Sequence, residues 1–254
     1  MGIRPLVLAH RGASAYAPEN TLAAFDLALE IGAPAFETDV RATADGHLVL
    51  LHDERVDRTT SGSGPVAHLS LAQVQTLDAG SWFGPRFAGE RIPTLPTFLA
   101  RYGGRVRLRL EVKGEDLEAR LLSAVGAVGL LAQVEFSSFS WEVVECLCAL
   151  SAEARVGWLV QAVDPEIIHR AAGAGLRFLS GRADLLTPQI LDDGRAAGLE
   201  VGAWGVRDDE LLAKVIRINV DSFTSNWPDR ALRLLGTDAS VVEPVPSGSD
   251  TAAR

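Results

Sequence analysis

The sequence predicts an α/β chain, a (β/α)8 TIM barrel, and three features predict it. Short apolar runs alternate with longer helix-like segments from one end to the other, and such alternation with buried strands implies a parallel sheet covered by helices. About eight of these units follow one another without a central break, which favours a closed barrel over a doubly wound sheet. No glycine-rich GxGxxG run or P-loop is present to argue for the open sheet. A length of 254 residues suits one barrel of this kind.

The strands are read, in order, as Pro5–Ala9, Ala35–Val40, Leu48–His52, Val106–Val112, Val134–Ser137, Arg155–Leu159, Arg177–Ser180, Glu200–Ala203 and Val220–Phe223. Helical spacing fills the gaps. Thr21–Ile31 places Leu22, Phe25 and Leu29 on one face, and Asp116–Val128 does the same with Leu117, Leu121, Leu122 and Val125. Trp141–Leu150, Pro165–Ala174, Pro188–Ala197, Asp208–Arg217 and Pro228–Leu235 continue the rhythm. Asp164-Pro165, Thr187-Pro188 and Asn226 before Pro228 read as helix starts, and Gly32, Gly175 and Gly198 as helix ends. Residues 54–93 interrupt the pattern with Gly, Ser, Thr and Pro around a short helical piece at Ser70–Leu77, and are expected to form an insertion above the barrel mouth. The barrel domain is therefore taken as residues 1–236, and the Ser/Asp/Pro/Ala-rich residues 237–254 are expected to be a disordered tail.

Composition narrows the function. The chain is 47% hydrophobic and 22% charged, as globular chains are, with a formal net charge of −9. An acidic balance argues against nucleic acid and against anionic lipid headgroups, both of which need clustered Lys and Arg. No stretch approaches the roughly 18 uncharged apolar residues of a membrane span, and the N-terminal apolar run is too short for a signal peptide. The expected compartment is the cytoplasm. Cys146 and Cys148 lie two apart in a helical segment, too poorly placed for a zinc or redox pair, and are read as core filler.

Polar residues gather at the downstream ends of the early strands, where a barrel keeps its chemistry. His10-Arg11-Gly12 follows the first strand, Glu37-Thr38-Asp39 lies in the second, His52-Asp53 ends the run after Asp45-Gly46, and Glu111-Val112-Lys113 closes the next barrel strand. Glu37 and Asp39, two apart in a strand, share one face. If Glu37, Asp39 and Glu111 converge within about 5 Å, each pair repels by roughly 3 kcal/mol at an effective dielectric near 20. Protonation, the cations Arg11 and Lys113, or a bound divalent ion must offset that. Hard oxygen ligands without cysteine suit Mg²⁺ or Ca²⁺. His10 and His52, each beside charged residues at a strand end, suit a general acid and base. His47, His68 and His169 lack such company and are read as surface or packing residues.

These blocks resemble the glycerophosphodiester phosphodiesterases. The resemblance is carried by AHRGASAYAPENT, FETDVRATADGHLVLLHDERVDRTT, DAGSWFGPRFAGERIPTL, RLRLEVK, SSFS and VGAWGV, and covers the chain from His10 to about Arg230. It implies a TIM barrel with a small inserted subdomain after the second strand and a small-molecule glycerophosphodiester substrate. By the same resemblance Glu37, Asp39 and Glu111 are metal ligands, and His10 and His52 the acid/base pair. Arg11 and Lys113 match phosphate-contacting positions, Trp204 a tryptophan on the seventh barrel strand that packs against glycerol or lines the mouth, and Glu19 a substrate-side position in the PENT block. Asn20 is read as a helix cap, Asp53 as orienting His52, and Trp82 and Phe83 as a cover for the leaving group or as packing of the insertion. VDSFTSNWPD departs from the family's Gly-Ile-Ile-Thr-Asp-type run on the last strand, at an end expected to touch neither metal nor histidine. The rival readings are a related barrel phosphodiesterase acting on lysophospholipids and a non-catalytic barrel that binds metal or anions.

Overall fold

A computed structural model describes residues 4–114 and 116–237 of the chain. Past Thr237, the expected tail lies outside the described residues. Eight parallel strands close into a barrel: β1 (Leu6–His10), β2 (Ala35–Ala42), β4 (Arg107–Val112), β5 (Val134–Ser138), β6 (Arg155–Leu159), β7 (Phe178–Arg182), β8 (Glu200–Val206) and β9 (Ser222–Ser225). β1 pairs with both β2 and β9, which shuts the ring. The short β3 (Leu48–Leu50) is no barrel strand; it runs antiparallel to β2 and leads the chain into the excursion that follows.

Helices α1 (Leu22–Ile31), α4 (Glu118–Ala127), α5 (Trp141–Leu150), α6 (Pro165–Gly173), α7 (Pro188–Ala196) and α8 (Asp209–Arg217) connect the strands, and α9 (Pro228–Leu234) follows the last of them. The excursion contributes the one-turn α2 (Leu71–Val74), shorter than its sequence suggested, and α3 (Leu95–Tyr102) follows it. The strand–helix pattern missed α3, although Thr94 caps it, Pro96 sits in its first turn, and Leu95, Phe98, Leu99 and Tyr102 form its buried stripe. Thr21, Thr94, Ser140, Asp164, Thr187 and Asp208 each accept a backbone N–H of their helix's first turn. Each such cap is worth about 1 kcal/mol.

Alternation along the strands separates two layers. One face of β2 sends Phe36 outward against α1 and α3, where Phe25, Phe36, Phe98 and Tyr102 stack with ring centroids 4.7–5.8 Å apart. The other face sends Glu37 and Asp39 inward. Lower in the barrel, Arg109 donates to Glu135 at 2.7 and 2.9 Å and stacks on the Phe178 ring at 4.0 Å. Both are almost fully buried, and the pair fills a polar interior that apolar side chains fill in other barrels. The excursion has a separate small core of Val49, Leu51, Val56, Val66, Val74, Ala79 and Ile92. Cys148 packs against the main core, but Cys146 is exposed on α5, so only one of the two cysteines is filler. His47, His68 and His169 are all exposed.

Candidate active site

The turn after β1 sets the first catalytic-type side chain. Arg11 (φ 56°) and Gly12 (φ 84°) both take the left-handed conformation, so the chain reverses within two residues. A Cβ on Gly12 would stand 2.5 Å from the Ala24 carbonyl carbon, so glycine alone permits this approach to α1. The reversal leaves His10 and Arg11 at the barrel mouth. Arg11 N–H still bonds Glu37 O at 2.9 Å, which registers the turn against β2. On the opposite side of β2, the Arg41 side chain donates to the carbonyl oxygens of His52 (2.8 and 2.9 Å) and Lys113 (3.0 Å), fixing the backbones that carry both groups.

Glu37, Asp39 and Glu111 converge there, with one carboxylate oxygen of each within 4.8 Å of the others, and all three are buried. Lys113 Nζ lies 2.6 Å from Glu111 and 3.5 Å from Asp39, and Arg11 Nε lies 3.2 Å from Asp39. Burial and the neighbouring Asp39 and Glu111 charges push Glu37 well above the usual carboxylate range. Glu111 is pushed up to about 7 by burial and Asp39, against the pull of Lys113. Burial acts the same way on Asp39, but Arg11, Lys113 and His52 outweigh it and hold that carboxyl at about 2. Glu37 Oε2 and Asp39 Oδ1 are buried without any hydrogen-bond partner. Orphaned buried oxygens on an all-carboxylate cluster fit a hard divalent cation.

Both histidines are anchored through Nδ1. His10 Nδ1 lies 2.6 Å from Asn226 Oδ1, and its Nε2 faces Glu37 Oε2 at 3.8 Å. His52 Nδ1 lies 2.7 Å from Asp53 Oδ1. Because these oxygens only accept, each Nδ1 carries the proton and each Nε2 is left free. Burial and Arg11 bring His10 down to about 4, against the Asn226 bond. Burial also lowers His52, with Arg11 and Lys113, while Asp39 and Asp53 oppose it.

Glu19 accepts from Arg11 Nη1 at 2.9 Å and so belongs to the cluster, one bond removed from the trio. Trp204 stands across the mouth, its Nε1–H on Val160 O at 2.9 Å and its ring against Phe139 at 5.3 Å. Phe139 in turn faces Lys113 Nζ at 5.7 Å, linking that rim to the cations. Trp82 and Phe83 stack on each other inside the excursion, and Trp82 Nε1–H bonds Ala79 O.

Three expectations are corrected. Asn20 does not cap α1; Thr21 does, while Asn20 is buried, donating to Asp39 Oδ2 at 2.9 Å and accepting from Thr38 at 2.7 Å. Asn226 does not cap α9 either, since its side chain is turned to His10. The departing run at the end of β9 therefore reaches a histidine after all. Sequence reasoning also missed Phe139, Arg41 and Arg58, whose only signal was position in or beside a motif block.

A parallel barrel with acids, cations and imidazoles at the C-terminal ends of its strands is the architecture of a barrel enzyme. Similarity refines the class to phosphodiester hydrolases. The family model for the "Glycerophosphoryl diester phosphodiesterase family" matches residues 10–230. A glycerophosphodiester phosphodiesterase of Caldanaerobacter subterraneus subsp. tengcongensis is 34% identical over 239 residues, covering 92% of this chain and 98% of that protein. The crystal structure of a glycerophosphodiester phosphodiesterase from Agrobacterium tumefaciens is 36% identical with a TM-score of 0.80, over 89% of this chain and 97% of that one. An Oleispira antarctica phosphodiesterase, solved in complex with the product sn-glycerol-3-phosphate, is 33% identical with a TM-score of 0.82, over 92% of this chain and 98% of that one. The chain belongs to the glycerophosphoryl diester phosphodiesterase family and is a phosphoric diester hydrolase. No helix among the described residues is long and apolar enough to cross a membrane.

Proposed function

We propose that the protein hydrolyses small glycerophosphodiesters to sn-glycerol 3-phosphate and an alcohol, with His10 and His52 moving the protons and Glu37, Asp39 and Glu111 holding Mg²⁺ or Ca²⁺. The observation that carries this reading is the convergence of three buried carboxylates, two of them with orphaned oxygens, beside two imidazoles anchored through Nδ1. A divalent cation held by these carboxylates would supply polarisation of the phosphoryl oxygens.

The side chains supply the rest. Arg11 and Lys113 flank the trio and place positive charge where the transition state builds negative charge on the phosphate. His10, held neutral, takes the proton from the attacking oxygen at Nε2. That oxygen bonds to phosphorus as the bond to the leaving alcohol breaks; water gives sn-glycerol 3-phosphate directly, whereas the glycerol 2-hydroxyl gives a cyclic phosphate that water then opens. His52 enters the step as the imidazolium, a charge that Asp39 and Asp53 favour against burial, and gives its Nε2 proton to the leaving alkoxide, ending neutral with Nδ1–H still on Asp53. Phe139 and Trp204 line the mouth on the substrate side, and Glu19 orients Arg11.

A panel of diesters tests the assignment, with short-headgroup glycerophosphodiesters beside long-chain lysophospholipids. Turnover of the small diesters is expected, and loss of about 10²–10⁴-fold in His10→Ala or His52→Ala with binding retained. Turnover confined to lysophospholipids, or unchanged rates in both variants, contradicts it.

A further inference from the structure

Arg58 ties the loop after β1 to the start of the excursion. Its Nη1 and Nη2 donate to Glu19 Oε2 and Oε1, both at 2.8 Å, and its Nε and Nη2 donate to Asp53 Oδ2 and Oδ1 at 2.6 and 3.0 Å. Each carboxylate then holds a group at the mouth. Asp53 accepts from His52 Nδ1 at 2.7 Å, and Glu19 accepts from Arg11 Nη1 at 2.9 Å. Arg11, Glu19, Arg58, Asp53 and His52 thus form one unbroken chain of charge-assisted hydrogen bonds from the turn after β1 to the start of the excursion.

We infer that Arg58 is a positioning residue, clamping Glu19 and Asp53 so that Arg11 and His52 keep a fixed separation and His52 keeps Nε2 toward the substrate. The inference rests on the proton-transfer role proposed for His52. A lone surface ion pair would not support it, because such pairs are worth little. Here one planar fork satisfies two carboxylates at once, and Glu19 is only 14% exposed against 46% for Arg58 itself. Without Arg58, Asp53 keeps only its His52 bond, and Arg11 is the one cation left on Glu19 among the described residues, which draws it from Asp39. The loss falls on geometry at the reacting atoms rather than on the core, since Arg58 contributes nothing to either apolar cluster.

The test compares wild type, R58A, R58K and H52A on glycerophosphocholine, with melting curves and proton NMR of the His52 Nδ1–H. R58A is expected to melt as wild type, lose kcat by about 10²-fold with KM nearly unchanged, and lose the downfield Nδ1–H signal. R58K should not restore kcat, since an ammonium cannot fork across two carboxylates. Millimolar guanidinium should raise kcat in R58A and not in H52A. Wild-type kcat in R58A, or full rescue by lysine, overturns the clamp. If wild type itself fails to cleave the diester, the reaction assignment fails and the NMR signal alone decides: its loss in R58A upholds the clamp, and its persistence overturns it.

Discussion

At Asp39 opposing influences meet: burial raises its carboxyl, while Arg11, Lys113, His52 and the Asn20 N–H draw it down. Its neighbours Glu37 and Glu111 are driven the other way, so without a cation the trio carries protons that a cation must displace. The histidines follow a similar logic. His10, depressed to about 4, stays neutral from there upward and becomes charged only as pH falls through that value. A general base works while neutral, so its protonation removes activity on the acid side. The acid limb of kcat/KM is therefore predicted far below 6.5, toward about 4, when rates are measured across pH at saturating metal. A limb at or above 6.5 contradicts the assignment of His10 as base.

Elements position these groups through a few local devices. The pattern Glu-x-Asp on β2 and Glu-x-Lys at the end of β4 was legible in the sequence because a strand fixes side chains two apart on one face, and the register Asp39 opposite Glu111 completes the trio. Asn20 and Asn226 were not legible as site residues. Each lies beside a helix start, where a cap is the ordinary role, and only long-range folding turns Asn226 toward His10 across 216 positions of sequence. Helix α3 escaped because it follows the excursion rather than a barrel strand. The Arg11-Gly12 reversal gives the sharpest element-scale prediction. Gly12→Ala meets both positive φ and the Ala24 backbone, so it should destabilise the protein by about 1–3 kcal/mol and lower kcat by displacing His10. Urea unfolding alongside turnover measures both; a fully stable, fully active variant refutes the packing described for this turn.

The whole molecule divides its labour between two layers. Phe25, Phe36, Phe98 and Tyr102 hold the strands against the helices, which frees the barrel interior to be polar from Arg109–Glu135 upward to the mouth. Closure by β1 against β2 and β9 brings residues from both ends of the sequence to one rim. That is why alternation of strands and helices sufficed to read the barrel, while the contacts between its loops were invisible in one dimension. Protons, Arg11 and Lys113 offset the acids gathered at the rim, and the proposed cation would displace those protons. Calorimetric titration of chelator-stripped protein with Mg²⁺ or Ca²⁺, paired with diester turnover, tests it most directly. No turnover is expected until metal is added, with one ion bound per chain as protons are released, and neither binding nor turnover in Asp39→Asn. Undiminished hydrolysis by the stripped protein would rule out the metal site.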